Sequence, residues 1–201
     1  MNKTKTLIFV GRSGSGKGTQ IELLKNLFAS KYEGTEIKLI AMGDIFRAFF
    51  KESGYVQDIA RDISMKQGKF QPDFITDALF VRNTINILDE NSILFFDGYP
   101  RNINQLEIMR ELLNYVNRGK PIVLNIEVSR ESVKTRMLSR GRGDDNDSAI
   151  NSRLDEYDKY ILPMLEVLKT DSSFDYIEIK GEGKIEEIHA DIINKINPYL
   201  S

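Results

Sequence analysis

Three groups of residues in the 201-residue chain are suited to handling phosphate. The first is Gly11-Arg12-Ser13-Gly14-Ser15-Gly16-Lys17-Gly18-Thr19, between the apolar tetrad Leu7–Val10 and a helical pattern beginning at Gln20-Ile21. The spacing is G-x-x-x-x-G-K followed by Gly-Thr, in strand–loop–helix order. In such a loop, here Gly14, Ser15, Gly16 and Gly18, backbone N–H groups turn inward around an anion, and the helix N-terminus adds its positive dipole end. Lys17 can place a point charge on the β/γ phosphates, and the Thr19 hydroxyl can reach phosphate or Mg²⁺. Gly18 stands where the general pattern has Ser or Thr, so the hydroxyl comes one residue late. The competing reading is a glycine-rich turn with a surface lysine.

The second group is one carboxylate. The run Ile93–Phe96 ends in Asp97, which predicts an acid at the C-terminal edge of a buried strand, where open α/β sheets bind ligands. Such a group can hold Mg²⁺ through the water shell that the ion keeps; otherwise it caps the following turn. The third is basic. Residues 130–142 carry Arg130, Lys134, Arg136, Arg140 and Arg142 against one acid, Glu131. On a helix Arg136 and Arg140 share a face, where like charges repel unless an anion lies nearby. A solvated basic face is the alternative.

Composition removes other chemistries. There is no cysteine and one histidine, which excludes disulfides, thiol nucleophiles and thiolate zinc sites and argues against a His-dependent triad. A net charge of −2 gives no global basic character for nucleic acid. No apolar run has the length of a membrane span, so a soluble cytoplasmic protein is expected.

The elements that must position these groups follow from periodicity. Five short apolar runs predict strands: Leu7–Val10, Ile37–Ala41, Ile93–Phe96, Ile122–Val128 and Tyr176–Ile179. Helical spacing lies between them, for example Ile21, Leu24, Leu27 and Phe28, and later Ile150, Leu154, Tyr157, Ile161, Leu165 and Leu168. Pro163, inside that last stripe, should kink or end the helix locally. The alternation predicts an α/β fold with a mainly parallel sheet. Residues 42–71, helical without a strand, and the polar stretch 140–148 are expected as insertions at the mouth of a site.

A longer set of residues narrows this reading. Asp97-Gly98-Tyr99-Pro100-Arg101 is followed by Gln105, preceded by Gly43-Asp44-Ile45-Phe46-Arg47, and succeeded by Arg136, Arg140, Arg142-Gly143-Asp144-Asp145-Asn146 and Arg153. This ordered set resembles the nucleoside monophosphate kinases, adenylate kinases most closely, over essentially the whole chain. The resemblance implies a single P-loop NTPase-type domain, 1–201, with a five-stranded parallel sheet flanked by helices. It implies a helical monophosphate-binding insertion at 42–71 and a minimal lid at 140–148. The activity implied is transfer of the γ-phosphoryl group of Mg·ATP to AMP, giving two ADP, without structural zinc.

Carried over by position, Lys17, Gly14, Ser15, Gly16, Gly18, Thr19, Arg136 and Arg140 bind ATP. Arg47, Gly98 and Arg101 bind the monophosphate, with Met42 at its base. Gln105 hydrogen-bonds that base. Arg142 and Arg153, with Lys17, Arg101 and Arg136, surround the transferred group, and Asp97 holds Mg²⁺ through water. No general base is required, because the attacking oxygen belongs to an ionised phosphate. His189 reads as structural or exposed. Asp44 is read either as part of the family set or as a cap of the helix that presents Arg47, and Asp144 and Asp145 as lid or turn residues. A monomer is expected, with an oligomer left open.

Three features depart from the family pattern. Only Gly141, Arg142 and Gly143 separate Arg140 from Asp144, so burial of the ATP phosphates should be less complete, and ATP hydrolysis without acceptor is expected to exceed that of a long-lid relative. Met42 replaces a small residue and leaves the base preference open, while Gln105 argues for AMP over UMP or CMP. Arg12 is unusual inside the loop and either adds a phosphate contact or points to solvent. The competing functions are a UMP/CMP kinase and a nucleotide-binding module without catalysis.

Overall fold

A computed structural model describes residues 5–141 and 146–200. The expected residues Arg142, Gly143, Asp144 and Asp145 lie outside the described residues. The chain runs β1 (Thr6–Val10), α1 (Lys17–Lys31), β2 (Ile37–Ala41), α2 (Met42–Phe49), α3 (Tyr55–Arg61), a π turn (Asp62–Lys66) and α4 (Asp73–Ile87). There follow β3 (Ile93–Asp97), α5 (Ile103–Tyr115), β4 (Ile122–Glu127), α6 (Arg130–Arg140), α7 (Asp147–Glu156), a second π turn (Tyr157–Ile161), α8 (Leu162–Thr170), β5 (Asp175–Lys180) and α9 (Ile185–Ile196).

The five strands form one all-parallel sheet in the order β2-β3-β1-β4-β5. Successive side chains alternate faces, and both faces of the central strands are covered, which is why β1 and β3 read as continuous apolar runs. Leu7 and Phe9 join a core with Ile21, Leu24 and Phe28 of α1 and Ile188, Ile192 and Ile196 of α9. Ile8 and Val10 join the opposite core with Phe80 of α4, Leu106 and Met109 of α5, and Leu165 and Leu168 of α8.

The crossovers from neighbouring strands β1 and β3 therefore run over opposite faces, α1 on one and α5 on the other. That reversal opens a crevice at their C-terminal edge. Asp97 stands at that edge, beside Phe9 in register, and is the last residue of β3 rather than the first of a loop.

The helices around the crevice have local causes. Asn102 caps α5 by accepting from the Gln105 N–H, Ser129 caps α6 from Ser132, and Asn146 caps α7 from Ala149. Asp44 does not have the capping role expected of it. The residue before α2 is Ala41, and Asp44 lies in the first turn with its carboxylate on Arg47 at 2.5 Å.

Pro163 acts as expected: α7 gives way to the π turn, in which the Leu162 N–H bonds back to Tyr157, and the helix restarts with the proline in its first turn. The insertion 42–71 is helical, with no strand. Among the described residues no helix is long and apolar enough to cross a membrane.

Candidate active site

The glycine loop leaves β1 and enters α1 at Lys17. Gly14 and Gly16 take φ of +83° and +93°, a region costly for other residues. At Gly14 a side chain would also meet Met137 Cγ at 3.0 Å and the Val133 carbonyl at 3.1 Å, so glycine is what lets α6 pack against the loop. Lys17 Nζ donates to the carbonyls of Gly11 at 2.8 Å and Arg12 at 3.1 Å. Burial pushes this ammonium below the usual lysine value, Asp97 pulls it back up, and Arg101 and Arg140 push it down further. Asp97 of β3, Arg101 of the turn after it and Arg140 of α6 thus act on one charge.

Arg101 is folded back by its own turn. Its Nε donates to the Gly98 carbonyl at 2.8 Å, and at Gly98, with φ +78°, a side chain would come within 3.0 Å of the guanidinium NH2. The Phe70 ring of the insertion lies under the guanidinium at 4.7 Å. Burial lowers the Arg101 pKa, Asp97 opposes this, and Arg153 adds to it.

These groups line one cleft of about 880 Å³, near the upper end for ligand sites. Among the described residues seven bases face it, Lys17, Arg47, Lys69, Arg101, Arg136, Arg140 and Arg153, and three acids oppose them, Glu22, Asp44 and Asp97. Gly14, Ser15, Gly16, Gly18, Thr19 and Gly98 also line it. Arg47 is paired with Asp44, and Arg136 donates to the Gly181 carbonyl at 3.2 Å and to Glu182 at 3.4 Å.

Lys69 carried no signal in the sequence, since an isolated lysine in a polar stretch says nothing of which way the insertion turns.

Two expected contacts are not on the wall of the cleft. Met42 is fully buried beneath it. Gln105 is 2% exposed, and both ends of its amide are committed: Oε1 accepts from the Arg101 N–H at 2.9 Å and Nε2 donates to Asp73 at 2.9 Å. The amide of Gln105 is tied to the Arg101 turn and to Asp73, so the residue supports Arg101 from behind.

Arg12 follows neither expectation. It points away from the phosphate side of the loop, yet not into solvent: it donates to Asp158 at 2.7 Å and to the Val128 carbonyl at 3.2 Å. His189 is structural, its Nδ1 3.0 Å from Gln20 Oε1.

The cleft suits magnesium in one way only. Among the described residues no three or more acids or histidines cluster as a metal cage. Asp97 Oδ1, however, is buried with no hydrogen-bond partner among the described residues. Mg²⁺ favours few carboxylates, retained waters and phosphate oxygens, so a lone unsatisfied carboxylate fits it.

An excess of cations at the mouth of a glycine loop explains one polyphosphate. Arg47 and Arg101, contributed by α2 and by the turn after β3, add cations to the same cleft from elements outside the loop. That is the construction of a P-loop phosphotransferase working between two nucleotides.

Comparison with known proteins narrows the class. The family model described as adenylate kinase matches residues 9–173. The chain is 34% identical over 182 residues to the adenylate kinase of Corynebacterium urealyticum, covering 90% of this chain and 93% of the relative. It is 33% identical over 196 residues to that of Leptospira biflexa, covering 96% and 100%, and 35% identical over 184 residues to that of Corynebacterium diphtheriae, covering 92% and 94%. The chain belongs to the adenylate kinase family.

Proposed function

We propose that the protein catalyses reversible transfer of the γ-phosphoryl group of Mg·ATP to AMP, giving two ADP. The observation that carries this is the convergence of Lys17, Arg47, Arg101, Arg136, Arg140 and Arg153 with Asp97 on one cleft at the switch point of the sheet. The choice of AMP is supported by the relatives, which are adenylate kinases.

In this reading the loop N–H groups from Gly14 to Thr19, with Lys17, Arg136 and Arg140, bind the donor phosphates. Arg47 and Arg101 bind the phosphate of AMP, and the insertion 42–71 forms that side of the site. Arg153, whose charge is felt by Arg101, compensates the charge spread over the transferred group. Arg142 belongs to the same set by position in the sequence. The guanidinium fork binds two phosphate oxygens at once and stays protonated, which suits a reaction needing alignment more than covalent help. The attacking oxygen is already ionised, so the residues move no proton. Asp97 would hold magnesium through water, and the bound ion would supply charge compensation at the β- and γ-phosphate oxygens. The cysteine-free composition accords with the cytoplasm.

The test is ATP with AMP, UMP, CMP, GMP and dAMP in parallel. Diphosphate formation should be fastest with AMP. Highest activity with a pyrimidine would make the protein a UMP/CMP kinase, and tight nucleotide binding without any diphosphate would make it a non-catalytic module.

A further inference from the structure

Arg12 belongs to the phosphate loop in sequence but not in its contacts. Its fork spends NH2 on Asp158 at 2.7 Å and NH1 on the Val128 carbonyl at 3.2 Å, and its guanidinium lies 4.6 Å from the Tyr157 ring centre. Tyr157 and Asp158 open the π turn between α7 and α8. Asp158 is held in place from its other oxygen by Arg130 at 2.8 Å, and Arg130 reaches on to Asp155 at 2.5 Å. With two arginines and two aspartates joined, the charge of Arg12 is balanced within this network and is not directed at a ligand. The same residue touches the catalytic machinery on its backbone side, where its carbonyl accepts from Lys17 Nζ at 3.1 Å and from the Ser15 N–H at 3.0 Å. At the far end of the chain of contacts, the Tyr157 N–H bonds to the Arg153 carbonyl, one turn back along the helix, and Tyr157 itself lines the cleft.

We infer that Arg12 is a positioning residue: it clamps the glycine loop to the π turn, so that Lys17 and Arg153 meet the donor phosphates from a fixed separation. A planar fork with its face on an aromatic ring suits this, because it fixes orientation as well as distance. A π turn also presents residues off the regular helical register, which is how Asp158 and Tyr157 both reach back to the loop. Small misplacements of transfer groups are expensive in rate. The inference rests on the proposed reading of the loop as the donor-phosphate site.

The experiment compares the parent with R12A, R12K, D158N and R12A/D158N. It measures kcat and KM for ATP and AMP, the affinity for Mg²⁺ with the β,γ-imido analogue of ATP by calorimetry, and the melting temperature. R12A and D158N should each lower kcat and weaken analogue binding by about tenfold, with KM for AMP changed by less than about twofold. The double variant should be no worse than the worse single, since both remove one interaction. R12K, lacking the fork, should resemble R12A.

Should R12A not fold, D158N, which exchanges one oxygen for an amide, carries the same test. Parental kcat and analogue affinity in both singles would overturn the inference, as would losses confined to melting temperature. Recovery in R12K with D158N silent would also overturn it, since the charge would then act on phosphate directly. A parent that binds the analogue but makes no ADP from ATP and AMP would sink the proposed function alone, because the calorimetry still compares the variants.

Discussion

The side-chain oxygen of Gln105 accepts the backbone N–H of Arg101 at 2.9 Å, while its amide nitrogen is tied to Asp73. The glutamine therefore sets the turn that aims Arg101 instead of presenting a free amide to the cleft. Gln105→Leu should leave a buried N–H unpaired and destabilise the fold by about 1–3 kcal/mol. It should raise KM for every monophosphate by a similar factor and leave KM for ATP alone. Loss of discrimination between AMP and the pyrimidine monophosphates, with AMP alone weakened, would instead give Gln105 contact with the base.

Lys17 concerns function against stability. Burial and the neighbouring Arg101 and Arg140 disfavour its charge, and Asp97 opposes them. The folded protein thus bears a cost for keeping an ammonium there. Lys17→Met should lower kcat by about 10²–10³. Its melting temperature should equal or exceed that of the parent, because an apolar side chain carries no desolvation penalty. A large drop in melting temperature would mean that Lys17 holds the loop together through Gly11 and Arg12 more than it serves the ligand.

What was legible in the sequence was local. The glycine loop, Asp97 and the strands announce themselves within a few consecutive residues, because a central parallel strand buried on both faces must be an apolar run and a loop around phosphate must be rich in glycine. The topology that brings Arg101, Arg140 and Arg153 to the cleft of Lys17 was reached through the family resemblance, not through spacing. The Arg12–Asp158 pair spans 146 residues and rests on a π turn that no periodicity foretells. Gln105 was assigned by its type, but its partners Asp73 and Arg101 arrive from different elements, and only packing reveals that both amide ends are occupied. Asp44 was read as a cap from its residue type, although the helix begins two residues earlier, at Met42.

A pH effect on stability follows at Asp171. Burial alone would raise this carboxyl from its usual 3.8, but hydrogen bonds from Arg110 at 2.7 Å and from the Ser173 N–H and hydroxyl outweigh it and bring it to about 2. A folded value below the unfolded one means that the carboxylate stabilises the fold fully above pH 3.8, and that this is lost as pH falls through about 2. Asp171→Asn should cost about 1 kcal/mol at neutral pH and flatten the stability profile over that acid window. The check is denaturant unfolding at several pH values for both proteins. Parallel profiles would show that the Arg110–Asp171 pair contributes nothing to acid sensitivity.

Gly68 joins the insertion to the rest of the site. It takes φ +66°, and a side chain there would lie 2.2 Å from the Ala149 carbonyl oxygen and 2.7 Å from its Cα. Two residues on, the Phe70 N–H donates to Glu156 at 3.1 Å, and the Phe70 ring supports Arg101. Gly68→Ala must move the insertion away from α7, since neither backbone atom can yield, and Phe70 should leave Arg101 with it. The control is Gly34→Ala, where φ is +79° but nothing lies within 4 Å of the new atom. Both variants carry the backbone strain, about 1 kcal/mol. Only Gly68→Ala should also raise KM for the monophosphate, by about tenfold, with KM for ATP changing much less. Equal kinetics in the two variants would mean that the Gly68–Ala149 contact serves folding alone and that Arg101 does not depend on Phe70 for its position.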